Sequence, residues 1–147
     1  MNTALHSVVQ HCIDWPAAHS AALAACTAAE AQGVRVNVAV VDVSGVLAAF
    51  LRMPGAPLQS VDIAIDKAYT AASFGMATGH WTEVLATHSA AVRDGVVRRP
   101  RFVAFGGGVP IVEAGSLIGA IGVSGGSESQ DEACARAGLQ ALDLLPD

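Results

Sequence analysis

A run of 27 residues, Phe105-Gly-Gly-Gly-Val-Pro-Ile-Val-Glu-Ala-Gly-Ser-Leu-Ile-Gly-Ala-Ile-Gly-Val-Ser-Gly-Gly-Ser-Glu-Ser-Gln-Asp131, constrains the fold more than any other part of the chain. It reads as a glycine loop, an apolar strand, a tight turn, a second apolar strand and a second glycine loop that feeds a helix. Ala114-Gly115-Ser116 stands between two β-branched runs, a hairpin signal. Ser127 with Gln130 three residues later predicts a capped helix start. Gly106, Gly107 and Gly108, and Ser124, Gly125 and Gly126, have two readings. Their amides could meet an anion near a helix start. Alternatively, glycine at these positions only permits tight turns and close backbone packing.

The rest of the chain fits around this hairpin. Trp15 to Gln32 is alanine-rich and helical, with Gly33 as its terminator. Val34 to Asp42 alternates like a strand, Asp42-Val-Ser-Gly45 is turn chemistry, and Val46 to Arg52 is the returning strand. Pro54 to Pro57 breaks the chain before a second helix over Gln59–Met76. Thr82 to Ala91 is expected to form one short helix with Thr82 as its N-cap. Gly95–Arg101 is expected to be a loop, Phe102–Phe105 a short strand, and Glu128–Leu145 the last helix. Strands arranged as hairpins, without a strand–GxGxxG–helix unit, predict an α+β domain with helices against an antiparallel sheet. No linker or repeat divides residues 1–147, so one domain is expected.

Composition narrows the classes of function. Hydrophobic residues make up 52% of the 147 and charged residues 14%. That is more apolar surface than a domain this size hides alone, so a homo-oligomer is expected. The net charge is −5 and no basic patch dominates, which argues against nucleic acid. No apolar run is long enough for a membrane helix and no secretory leader is visible, so a cytoplasmic protein is expected. Cys12, Cys26 and Cys134 are odd in number and scattered, as reduced thiols would be. Neither HxH nor HExxH occurs, and no dedicated metal site is expected.

Cations and histidines are the candidates for chemistry. On the second helix, Asp62, Asp66, Thr70 and Ser73 gather on one polar face at about 100° per residue. Lys67 falls outside it, near Ile63, Ala71 and Phe74, and needs an anionic partner or a route to water. Arg52 and Lys67 could together hold a ligand carboxylate; Asp42, Asp62 or Asp66 are the internal alternatives. His80, His88 and Glu83 are candidates for moving protons if the chain is an enzyme of aromatic or carboxylic acid catabolism. Arg93, Arg98, Arg99 and Arg101 form the one cationic cluster, a solvated loop or a welcome for a carboxylate.

Several separated motifs carry a family resemblance. Ala39-Val-Val-Asp-Val-Ser-Gly45, Leu51-Arg-Met53, Asp66-Lys-Ala-Tyr-Thr-Ala-Ala72, Phe105-Gly-Gly-Gly-Val-Pro-Ile111 and Ile118-Gly-Ala-Ile-Gly-Val-Ser-Gly-Gly126 with Gln130-Asp131 resemble the GlcG/HbpS family, which includes the C-terminal domain of PduO-type proteins. The resemblance spans about residues 17–142 and implies a profilin-like or roadblock-like α+β sandwich that assembles into dimers or higher oligomers. It also implies a small-ligand-binding protein, with haem as a possible cofactor. Members of the family bind or degrade haem, or bind iron or cobalamin-related molecules. The chain departs from the family pattern between Trp81 and Arg101, where His88 and four arginines stand, which suggests a pocket adapted to its own ligand.

Overall fold

The computed structural model describes residues 5–145. Helix α1 (Trp15–Ala31) is followed by strands β1 (Asn37–Asp42) and β2 (Leu47–Arg52), then by helix α2 (Ser60–Phe74). A single 3₁₀ turn (Thr78–His80) leads into the short helices α3 (Trp81–Ala86) and α4 (Ala90–Val96). Strands β3 (Gly108–Glu113) and β4 (Ser116–Ser124) and helix α5 (Glu128–Ala141) complete the chain. The four strands form one antiparallel sheet in the order β2-β1-β4-β3.

Strand alternation decides what lies on each face. Val38, Val40, Ile121, Val123, Val109 and Ile111 point to one side and bury against the alanines of α1 and against Cys134, Ala135 and Leu139 of α5. Ala39, Val41 and Ala120 point to the other side, under Ala64, Ala68, Ala71 and Ala72 of α2. That second face is small because α2 lies almost on the sheet. A Cβ at Gly122, paired with Ala39, would collide with Ala64 O and sit 2.5 Å from Ala68 N. The result is an α+β sandwich with α1 and α5 on one face and α2 on the other.

Local chemistry sets the ends of the elements. Ser127 Oγ accepts from Gln130 N, and Gln130 Oε1 accepts from Ser127 N, closing the expected capping box on α5. Asp42 Oδ1 accepts from Ser44 N and Val46 N in the β1–β2 turn. Ala114 and Gly115 both have positive φ, 49° and 80°, as a two-residue hairpin turn of the mirror type requires.

Three expectations need correction. Phe102–Phe105 is not a strand; β3 begins at Gly108. Val103 is buried, Phe102 is half-buried and Phe105 is exposed; Phe102 stacks edge-on to Phe74 and Trp81, and Val103 N donates to Thr70 Oγ1 in place of a ladder. The expected single helix over Thr82–Ala91 is two helices, and Gly95 belongs to α4. Thr82 lies inside α3, and Ser89, whose Oγ accepts from Val92 N, caps the second. Thr70 is buried, not part of an exposed polar face.

Where α1 meets α5, burial pushes the Cys134 thiol up from 9.0 to about 11, with the Asp131 charge adding to the effect. The folded state therefore keeps a proton that the unfolded chain releases above pH 9, and stability is lost as pH rises from there to about 11. The loss reaches about 2 kcal/mol. Urea titrations of the protein and Cys134→Ala should show the stability difference shifting toward the variant across that window and staying level below it.

Candidate functional site

Lys67 is the most unusual side chain of the molecule, 1% exposed in the middle of α2. Its ammonium donates to Val123 O at the end of β4 (2.8 Å) and to Asp131 Oδ2 in the first turn of α5 (3.0 Å). It thus ties the helix on one face of the sheet to a helix on the other. The crossing runs past Gly107, where an added Cβ would stand 2.6 Å from Nζ and 2.5 Å from Val123 O. Gly107 has φ +128°, a conformation that side chains of L residues rarely adopt. The Phe105 ring covers the ammonium, its centroid 5.1 Å away. Burial lowers the Lys67 pKa, while the Asp131 charge and hydrogen bond and the nearby Glu128 charge hold it up.

The glycine loops serve this buried pair. Gly126 N donates to Asp131 Oδ1 (2.9 Å), so both carboxylate oxygens are satisfied. Gly106 N donates to Glu128 Oε1 and Gly108 N to Thr78 Oγ1. Gly125 backs onto the Arg35–Val36 main chain, and Ser124 is buried at the end of β4. Three amides of the expected ligand cradle therefore have protein partners already, and Lys67 has Asp131 where a ligand anion, Asp42, Asp62 or Asp66 was expected. No charge pattern along either helix announced Asp131; the pairing is made only when the sheet brings α2 and α5 together.

The other candidates stand apart. Arg52 is exposed on the edge strand and donates to Asn37 Oδ1 (3.2 Å), sharing no partner with Lys67. Glu83 is exposed on α3, and His88 is exposed between α3 and α4. The geometry does not gather Arg52, Lys67, Glu83 and His88 around one substrate. His80 is exposed and lines a cavity of about 340 Å³ with Met76, Ala77, Val109, Pro110 and Arg136. The sequence reading singled out neither Met76 nor Arg136. A second cleft, of about 440 Å³, lies between α2 and the segment after α4 and contains Arg99 and Arg101 of the cationic cluster. Among the described residues no group of three or more His, Cys, Asp or Glu is placed to hold a metal ion, and no helix is long and apolar enough to cross a membrane.

Comparison with known proteins places this architecture. Residues 13–140 match the family model described as haem degrading protein HbpS-like. An uncharacterized 15.0 kDa protein of Citrobacter freundii is 35% identical over 80% of this chain and 86% of its own length. The corrinoid adenosyltransferase PduO of the same organism is 33% identical over 86% of this chain, which spans only 38% of that enzyme. Among solved structures, the Klebsiella pneumoniae protein ORFY superposes with a TM-score of 0.84 at 32% identity, over 99% of both chains. HbpS does so with 0.83 at 36% identity, over 93% of this chain and 94% of its own. A haem complex of PduOC gives 0.81 at 33% identity, over 88% of this chain and 94% of that one. With the match covering nearly the whole sandwich, the chain belongs to the HbpS-like family.

Proposed function

We propose that the chain is a cytoplasmic homo-oligomer that binds a small anionic ligand of the haem type, seated at the His80 cavity. The observation that carries this reading is the donor set of that cavity. An imidazole (His80) and a thioether (Met76) are both ordinary haem-iron ligands, and they share one lining with the apolar Val109 and Pro110 and the cationic Arg136. These residues fit the group. His80 would hold the iron with Met76 as a second donor beside it, Pro110 would face the ring, and Arg136, whose Nη2 now meets Glu132 Oε1 at 3.1 Å, would turn to a propionate. Haem, when bound, would supply a redox-active iron. Family membership and the haem complex of PduOC support the reading.

A cavity of about 340 Å³ is at the small end of ligand sites, so a neighbouring subunit is expected to complete it. The outer face of α1 supports assembly. Glu30 is the only Asp, Glu, Lys or Arg in its 17 residues, and Leu23 is 52% exposed beside Ala24 and Ala28 in a shallow apolar groove. Three free thiols suit a reducing compartment. Haemin titration should give a saturable Soret band, at one haem or fewer per chain, that shifts or weakens at least tenfold in affinity in His80→Ala. Light scattering should give a mass of at least two chains. A spectrum unchanged in His80→Ala removes the proposed site, and a 14.9 kDa particle removes the assembly.

A further inference from the structure

The cleft between α2 and the segment after α4 has a different chemistry from the His80 cavity. Its lining includes the aromatic rings of Phe74, Phe102 and Tyr69 and the two cations Arg99 and Arg101. Phe74 is 53% exposed, an aromatic left open to solvent. At about 440 Å³ the cleft falls within the range of small-molecule sites.

Arg101 is held in an uncommon conformation. Its φ is 68°, in the left-handed region that non-glycine residues seldom enter. Thr70, buried in α2, fixes it from below: its Oγ1 donates to Arg101 O (3.0 Å) and accepts from Val103 N (3.1 Å). The chain thereby folds the guanidinium back over the Tyr69 ring, 3.7 Å from its centroid. Asp66 Oδ1 accepts from Nε at 3.0 Å, and the terminal nitrogens donate to no described residue. That end of the fork has the shape of a two-point carboxylate grip. Arg99 takes part in none of the ion pairs among the described residues. No imidazole, thiol or thioether lines the cleft, so it lacks the usual donors for a haem iron.

We propose that this cleft is a second, separate binding site, for a planar aromatic carboxylate of one or two rings. The ring system lies against Phe74 and Phe102, and the carboxylate meets the free end of Arg101 together with Arg99. Trp81 provides a native reporter. It is buried, and its ring centroid lies 4.8 Å from each of Phe74 and Phe102.

The chain has two tryptophans, so Trp15→Phe leaves Trp81 as the sole emitter. Titrating this variant with 2-naphthoate should quench Trp81 saturably. The neutral 2-naphthamide should bind at least tenfold more weakly. Arg99→Gln and Arg101→Gly, each placed in the same background, should lose at least tenfold in naphthoate affinity. Arg101→Gly should keep its melting temperature, because glycine suits φ 68° and the exposed ion pair it removes is worth little. Haemin binding by these variants should be unchanged, which separates this site from the His80 cavity. Absent quenching, equal binding of acid and amide, or unchanged affinity in both arginine variants would each overturn the proposal.

Discussion

Lys67→Met should destabilise the protein by about 3–5 kcal/mol, the scale of removing one partner from a buried ion pair. The methionine fills nearly the same length, so packing is little disturbed. What changes is Asp131: its Oδ1 keeps Gly126 N, but Oδ2 loses the one donor it has among the described residues, at a site 2% exposed. Val123 O loses the ammonium as well. For a domain of this size the loss lowers the melting temperature by on the order of 10 °C. The double variant Lys67→Met/Asp131→Asn should recover most of it, because a neutral amide can still accept from Gly126 N without a buried charge. Thermal and urea unfolding of the two variants check both statements. A Lys67→Met protein as stable as the parent would mean that the pair contributes nothing.

Gly107→Val should be at least as damaging, about 4 kcal/mol, and should leave little folded protein at physiological temperature. Two independent terms add. A β-branched residue at φ +128° is strained by about 1–3 kcal/mol. Its Cβ would also press on Val123 O, on Lys67 Nζ at 2.6 Å and on Asp131 Cβ at 3.0 Å, the three groups that make the buried crossing. Gly95→Ala is the control. It lies within α4 with nothing within 4 Å of its Cβ position, so alanine there should raise stability by about 0.5–1 kcal/mol. Circular dichroism melts of the two variants should move in opposite directions. Equal melts would show that glycine at 107 is incidental.

The ease with which each part was read from sequence follows the range of the interactions that fix it. The Ser127–Gln130 cap, the Asp42 turn and the Ala114–Gly115 hairpin are made by residues a few positions apart, and each appears as expected. The α+β class follows from hairpins, which are also local. Phe102–Phe105 misled because apolar residues can be covered by a neighbouring strand or by side chains alone, and here Phe74, Trp81 and Thr70 cover Phe102 and Val103 while Phe105 stays exposed. The missed Ser89 cap was legible as a serine ahead of an alanine pair. Lys67 stood out as misplaced on its helix wheel, correctly, but its partner lies 64 residues away and only the tertiary fold supplies it. The same holds for Thr70 and Arg101, joined across 31 residues.

Sandwich, glycine loops and buried pair together form one packed frame, and the proposed ligand sites are the surface cavities around it. The most direct test is a haemin titration of the parent protein beside the folded Lys67→Met/Asp131→Asn variant. The account predicts the same saturable Soret complex in both, with equal affinity within about threefold. A parent without such a complex, or a double variant that folds but has lost it, would contradict the account.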